Sequence, residues 1–138
     1  MSKLKLSDFR VGQVAYIKRT GNQEIYIKEK DNLDAYIIET KVKSIGRKYI
    51  TTEYKGIKFK ETDCSYAGLI ENTEYIVDYE LFSNKDMIYD EFEKKNLINF
   101  IKKEFYTIQT DKFSLKQLRN IVNIIKAGAK DDRITDNQ

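Results

Sequence analysis

The sequence predicts an α+β domain in which a small antiparallel β-barrel of five to six strands is followed by a C-terminal two-helix hairpin. Two observations carry the prediction. Up to residue 81 the apolar residues recur at period 2 and are interrupted by turn residues, whereas from residue 83 onward they recur at a period near 3.6. Strands followed by helices, rather than alternating with them, argue for an α+β arrangement. Short strands in this number curl readily, and closing the sheet removes its exposed edges.

Val14-Ala15-Tyr16-Ile17-Lys18-Arg19 reads as the first strand, with Gly12 marking the turn before it and Thr20-Gly21-Asn22-Gln23 the turn after. Residues 24–29 alternate Ile25 and Ile27 against Tyr26 and Lys28, which predicts a second strand. Residues 36–60 are the best-patterned part of the chain and predict three strands. Tyr36, Ile38, Thr40 and Val42 share one face and Glu39, Lys41 and Lys43 the other. Gly46 breaks the run, and Lys48, Ile50, Thr52 and Tyr54 then alternate against Tyr49, Thr51 and Glu53. Lys55-Gly56 fits a two-residue hairpin turn, after which Ile57 and Phe59 open the next strand. The pattern lapses through 61–74, read as a loop holding Cys64, Tyr66 and Gly68. A last strand is expected over 75–81, with Tyr75, Val77, Tyr79 and Leu81 on one face.

Ser83 is placed to cap a first helix running to about Tyr106, with Phe82 and Met87 in the positions of a hydrophobic staple. Its apolar stripe weakens at Lys95-Asn96. Ser114-Leu115-Lys116-Gln117 fits a capping box, and Leu115, Leu118, Ile121, Val122 and Ile125 give the second helix an apolar face that Gly128 is placed to end. The expected layout is a barrel over 1–82, a helical hairpin over 83–129 packed on it as one domain, and a frayed tail over 130–138.

At 138 residues one domain with a core is expected. No apolar run approaches a membrane span, and charge interrupts the first residues too early for a secretory signal, so a cytoplasmic location is expected. The single cysteine, Cys64, has no partner for a disulfide. Histidine is absent altogether, which removes the usual zinc sites and the usual base of nucleophilic catalysis. With no glycine-rich phosphate loop and no spaced cysteine cluster, no enzyme activity, cofactor or metal is expected.

Charge is distributed unevenly. Residues 1–60 hold 14 Lys and Arg against 7 Asp and Glu, residues 61–93 hold 1 against 10, and residues 94–130 hold 9 against 2. Two candidate faces follow. The basic one comprises Lys41, Lys43, Arg47, Lys48, Lys58 and Lys60 with Tyr54, and cations beside aromatic rings on a small barrel suit single-stranded nucleic acid or another anionic partner. Solubility and edge protection account for the same lysines. The acidic one comprises Glu71, Glu74, Asp78, Glu80, Asp90 and Glu91, a surface that could meet the basic channel of a nuclease. Carboxylates near the first helix's start also complement its dipole.

The segments Phe9-Arg10-Val11-Gly12-Gln13-Val14-Ala15-Tyr16-Ile17 and Val42-Lys43-Ser44-Ile45-Gly46-Arg47-Lys48-Tyr49-Ile50, with the Leu81-Phe82-Ser83 junction, resemble the small SH3-like β-barrel proteins of phages and mobile elements in low-GC Gram-positive bacteria. The resemblance implies an SH3-like barrel and a phage or mobile-element origin in a host cytosol, and it supplies no catalytic residues. The expected function is a non-catalytic binding module that docks on a host protein and inhibits a nucleic-acid-handling or defence machine such as a CRISPR nuclease. Nucleic-acid binding through the basic face is the alternative, and a metal-dependent nuclease a weaker one. The chain is expected to be a monomer, or a homodimer through its second helix.

Overall fold

Val14–Arg19 forms strand β1, within the bounds that its alternation predicts. The computed structural model describes the backbone of residues 3–107 and 110–136 and the side chains of 3–105 and 111–128. After β1 come β2 (Ile37–Ile45), β3 (Ile50–Thr52), β4 (Lys58–Lys60), β5 (Leu69–Glu71) and β6 (Tyr79–Phe82). Each pairs antiparallel with the next, and β6 pairs back onto β1 to close a six-stranded barrel. Its interior is filled from alternate positions: Ile17, Val42, Ile50, Phe59, Leu69 and Leu81 are all 0–1% exposed. Each such side chain contributes about 1.5–3 kcal/mol through burial.

Residues 24–29 are not a strand. Gly21–Tyr26 coils into a 3₁₀ turn, closed by Gln23 N–H to Thr20 O at 3.0 Å and Ile27 N–H to Glu24 O at 3.2 Å. The closed ladder explains this, since β1 is flanked by β2 and β6 and has no free edge for another strand. Ile27 alone is buried there, and Ile25 and Tyr26 stand in solvent. Conversely, the expected loop at 61–74 contains β5, because Leu69–Glu71 finds partners on both β4 and β6. The last strand is shorter than its alternation implies. β1 ends at Arg19, opposite Tyr79, so residues 75–78 have no ladder to join.

Tyr54-Lys55-Gly56-Ile57 turns as its sequence predicts, with Lys55 at φ 52° and Gly56 at φ 63°, both in the left-handed region that a tight hairpin requires. Thr52, buried between these strands, donates its hydroxyl to the carbonyls of Tyr54 and Ile57, each at 3.3 Å.

Helix α1 (Lys85–Thr107) is capped by Asn84, one residue later than expected, its Oδ1 accepting the Asp86 N–H at 2.8 Å. Helix α2 (Leu115–Asp136) opens with the predicted capping box: Gln117 N–H to Ser114 Oγ at 3.1 Å and Ser114 N–H to Gln117 Oε1 at 2.9 Å. It runs through Gly128 to Asp136, so that glycine is not a stop and residues 130–136 are helical; residues 137 and 138 lie outside the described residues. The chain divides into two compact units, 1–95 and 96–138, at the Lys95-Asn96 lapse in the apolar stripe of α1.

Candidate functional site

The bulge between Val42 and Ser44 sets the basic face. With Val42 opposite Thr52 and Ser44 opposite Thr51, Lys43 is the extra residue of β2 and stands outward beside Ser44. Thr51 in turn opposes Lys58, so the outer surface of β2, β3 and β4 carries Lys43 and Lys58, with Arg47 and Lys48 in the connecting turn. All four are exposed. Among the described residues the ion pairs are Lys18 with Glu91 and Lys85 with Asp34, so these cations have no carboxylate counterpart. Lys60 is half-buried, and Lys41 lies apart, in a depression with Glu39 and Glu53.

The aromatic part of that face is thinner than its sequence implies. Tyr49 is half-buried with Lys58 Nζ 5.9 Å from its ring centre. Tyr54 packs edge-on against buried Tyr79 at 6.0 Å, and is thereby part of the barrel wall. Burial, with Tyr54 beside it, pushes the Tyr79 hydroxyl up to about 12. Phosphates could be neutralised here, but a stacking platform for bases is not laid open.

The acidic residues divide into three places. Glu71, Glu74 and Asp78 come together in a shallow depression of about 670 Å³ shared with Asn22, Tyr75 and Ile76. Asp78 Oδ1 accepts the Asn22 N–H at 2.9 Å and Glu71 Oε1 the Asp78 N–H at 3.1 Å, so two of the three carboxylates also hold the local backbone. Tyr75 and Ile76, which line it too, are 87% and 60% exposed. Alternation hid them by placing them in a strand; the turn-forming Asn72-Thr73 before them is the signal that could have revealed a loop. Asp90 is exposed on α1 and is not among the residues lining this depression.

Glu80 and Glu91 belong elsewhere. Glu80 is 1% exposed, which corrects its placement on an acidic surface: it sits across the ladder from Lys18, and its Oε1 accepts the Gly68 N–H at 2.9 Å. Burial, then the neighbouring Glu91, pushes its carboxyl up to about 7. Glu91 is bound to Lys18 at 3.2 Å, while Lys18 Nζ lies 5.0 Å from the centre of the Phe92 ring and Phe92 packs edge-on against Tyr36 at 4.9 Å. The first turns of α1 are thereby fastened to the outer side of β1. At the same end Asp34 accepts from the Tyr89 hydroxyl and pairs with Lys85 at 3.4 Å, and the Tyr89 bond, followed by Lys85, holds its carboxyl below the ordinary value.

In the second unit, the later part of α1 and α2 enclose an apolar cleft of about 350 Å³ lined by Phe100, Ile101, Phe105, Phe113, Leu118 and Ile121, with Glu104 at its rim. No group of acidic or cysteine side chains among the described residues is arranged to hold a metal ion, and no described helix is long and apolar enough to cross a membrane.

A family model described as the phage ProQ C-terminal-like domain matches residues 1–132. The chain belongs to that family. The match takes in all six strands, α1 and most of α2, so the family's pattern extends over barrel and helices alike. The expected phage association of a small domain therefore holds. No curated protein and no solved structure matches this phage ProQ C-terminal-like domain.

Proposed function

We propose that this phage domain is a non-catalytic binding module that docks on a host protein, and that the surface around Tyr75 and Ile76 makes the contact. The observation that carries the reading is the exposure of an aromatic and a branched aliphatic side chain, 87% and 60%, that line one shallow depression with Glu71, Glu74 and Asp78. Interfaces are enriched in aromatic anchors, and a charged border orients the partner and speeds encounter. An anchor with an acidic border suits a basic surface, such as the nucleic-acid channel of a host nuclease, including a CRISPR nuclease. Docking there would inhibit by competing with the nucleic acid.

The test is affinity capture from nuclease-treated host lysate with the wild-type chain and with a Tyr75→Ala/Ile76→Ser variant. A stoichiometric protein recovered by the first and lost by the second supports the reading; equal recovery by both rejects it.

A second reading, nucleic-acid binding by the barrel, is favoured by the unpaired cations Lys43, Arg47, Lys48 and Lys58. It requires an affinity for single-stranded oligonucleotides that falls steeply as salt rises. Absence of any gel shift at low salt would reject it.

A further inference from the structure

One side of helix α2 is apolar, and the cleft takes up only part of it. Leu118 and Ile121 line the cleft toward α1. Leu115, Val122 and Ile125, which are 63%, 45% and 61% exposed, continue that side, and with Leu118 they form a line along the helix. The spacing along that line is three, four and three residues, that of a heptad seam, which packs against another helix through knobs and holes. Leu118 meets the cleft, but the other three residues of the line remain largely exposed. None of the described residues of 96–128 is buried, and nine large apolar side chains there are exposed. Helices of this length hold their structure mainly by packing an apolar face, and uncovered apolar surface of this extent is uncommon on a monomer.

We propose that the Leu115–Leu118–Val122–Ile125 seam joins two copies of this chain, so that two helical pairs form a four-helix bundle about a twofold axis. Three arguments favour a second copy as the occupant. The seam contains no charged side chain, so the acidic or basic partners discussed above gain nothing from it. It is also self-complementary: with the helices antiparallel, Leu115 lies opposite Ile125 and Leu118 opposite Val122, as a twofold contact demands, and the helix dipoles oppose favourably. Finally, Leu115, Val122 and Ile125, with Phe100, Ile101 and Phe105 at the open cleft beside them, each leave on the order of 100 Å² in solvent, and about 600 Å² per partner is the low end of specific interfaces. Arg119 and Lys126 flank the seam and would repel their counterparts weakly, so salt strengthens this contact where it weakens any contact with nucleic acid.

Sedimentation equilibrium of the full chain decides the matter. The expected result is twice the 16.3 kDa chain mass, retained at high salt, and a Val122→Asp/Ile125→Asp variant that sediments as a single chain with an unchanged near-ultraviolet spectrum from the barrel tyrosines. Ile124→Asp, on another side of the same helix and 73% exposed, should leave the dimer intact and so controls for a general loss of α2. A single-chain mass for the wild type at about 100 µM, a concentration far above the dissociation constant of ordinary interfaces of this size, overturns the proposal. So does a dimer that the double substitution leaves unchanged.

Discussion

The backbone N–H of Gly68 donates to Glu80 Oε1 at 2.9 Å, where neither group meets solvent. Burial and the neighbouring Glu91 charge outweigh the backbone hydrogen bonds from Gly68 and Ala67 and the pull of Lys18, the cation across the ladder, which is itself bound to Glu91. Its carboxyl consequently titrates near 7 in the folded chain, against an ordinary value of 4.5. Between those values the folded state holds a proton that the unfolded state has released, so this group's contribution to stability falls as pH rises from 4.5 toward 7 and stays low above it. Glu80→Gln keeps the acceptor for Gly68 and removes the charge. The variant should therefore exceed the wild type in stability at pH 8, by up to about 3 kcal/mol, and match it near pH 4, as urea midpoints at the two pH values would measure. A wild-type midpoint that gains on the variant as pH rises would show that Glu80 is stabilised as an anion.

Gly68 is required for a second reason. A Cβ there would lie 2.5 Å from the Leu81 carbonyl oxygen and 3.0 Å from Glu80 Cγ, the first being backbone that cannot yield cheaply. Gly68→Ala should cost about 3 kcal/mol or more, the upper end of overpacking penalties. Gly12→Ala meets open space but a φ of 84°, so backbone strain alone applies and about 1 kcal/mol is expected. Thermal melts of the two variants should rank them in that order.

The box at the start of α2 offers a separate check. Ser114→Ala leaves the Gln117 N–H without its acceptor and should cost about 1 kcal/mol, seen as faster amide exchange over 115–118 while the barrel amides are unaffected. Slower or unchanged exchange in that turn would mean the cap contributes nothing.

Much of this fold is legible in the sequence because its determinants are local. Val14–Arg19 alternates cleanly, Lys55-Gly56 has the backbone freedom for a left-handed pair, and Ser114 and Gln117 stand at the capping spacing. The misread strands share one cause, which is that strand pairing is decided by neighbours distant in sequence. Ile25 and Ile27 alternate correctly yet find no open edge on β1, whereas Leu69–Glu71 is too short to show a period and is recruited by β4 and β6. Lys41, Lys43 and Lys58 are exposed as alternation requires, whereas Lys48 is exposed because it lies in a turn and Lys60 is half-buried. Glu80 also alternates with Tyr79 and Leu81, but its outer side lies near α1 residue Glu91, and nothing within β6 announces that cover.

Charge reversal on the strands separates the two candidate surfaces. Lys43→Glu/Lys58→Glu alters exposed side chains with no ion pair, so its effect on stability should lie within about 0.5 kcal/mol. On the docking account it leaves the captured host protein in place; loss of capture together with loss of bound nucleic acid would move the function to the basic face.

The most direct measurement is the affinity of the captured host protein, once purified, for the wild-type chain and for Tyr75→Ala. Truncating a central aromatic anchor is expected to weaken binding at least about tenfold, or 1.4 kcal/mol, with Lys43→Glu/Lys58→Glu binding as the wild type does. Equal affinities for the wild type and Tyr75→Ala would contradict docking through the acid-bordered surface.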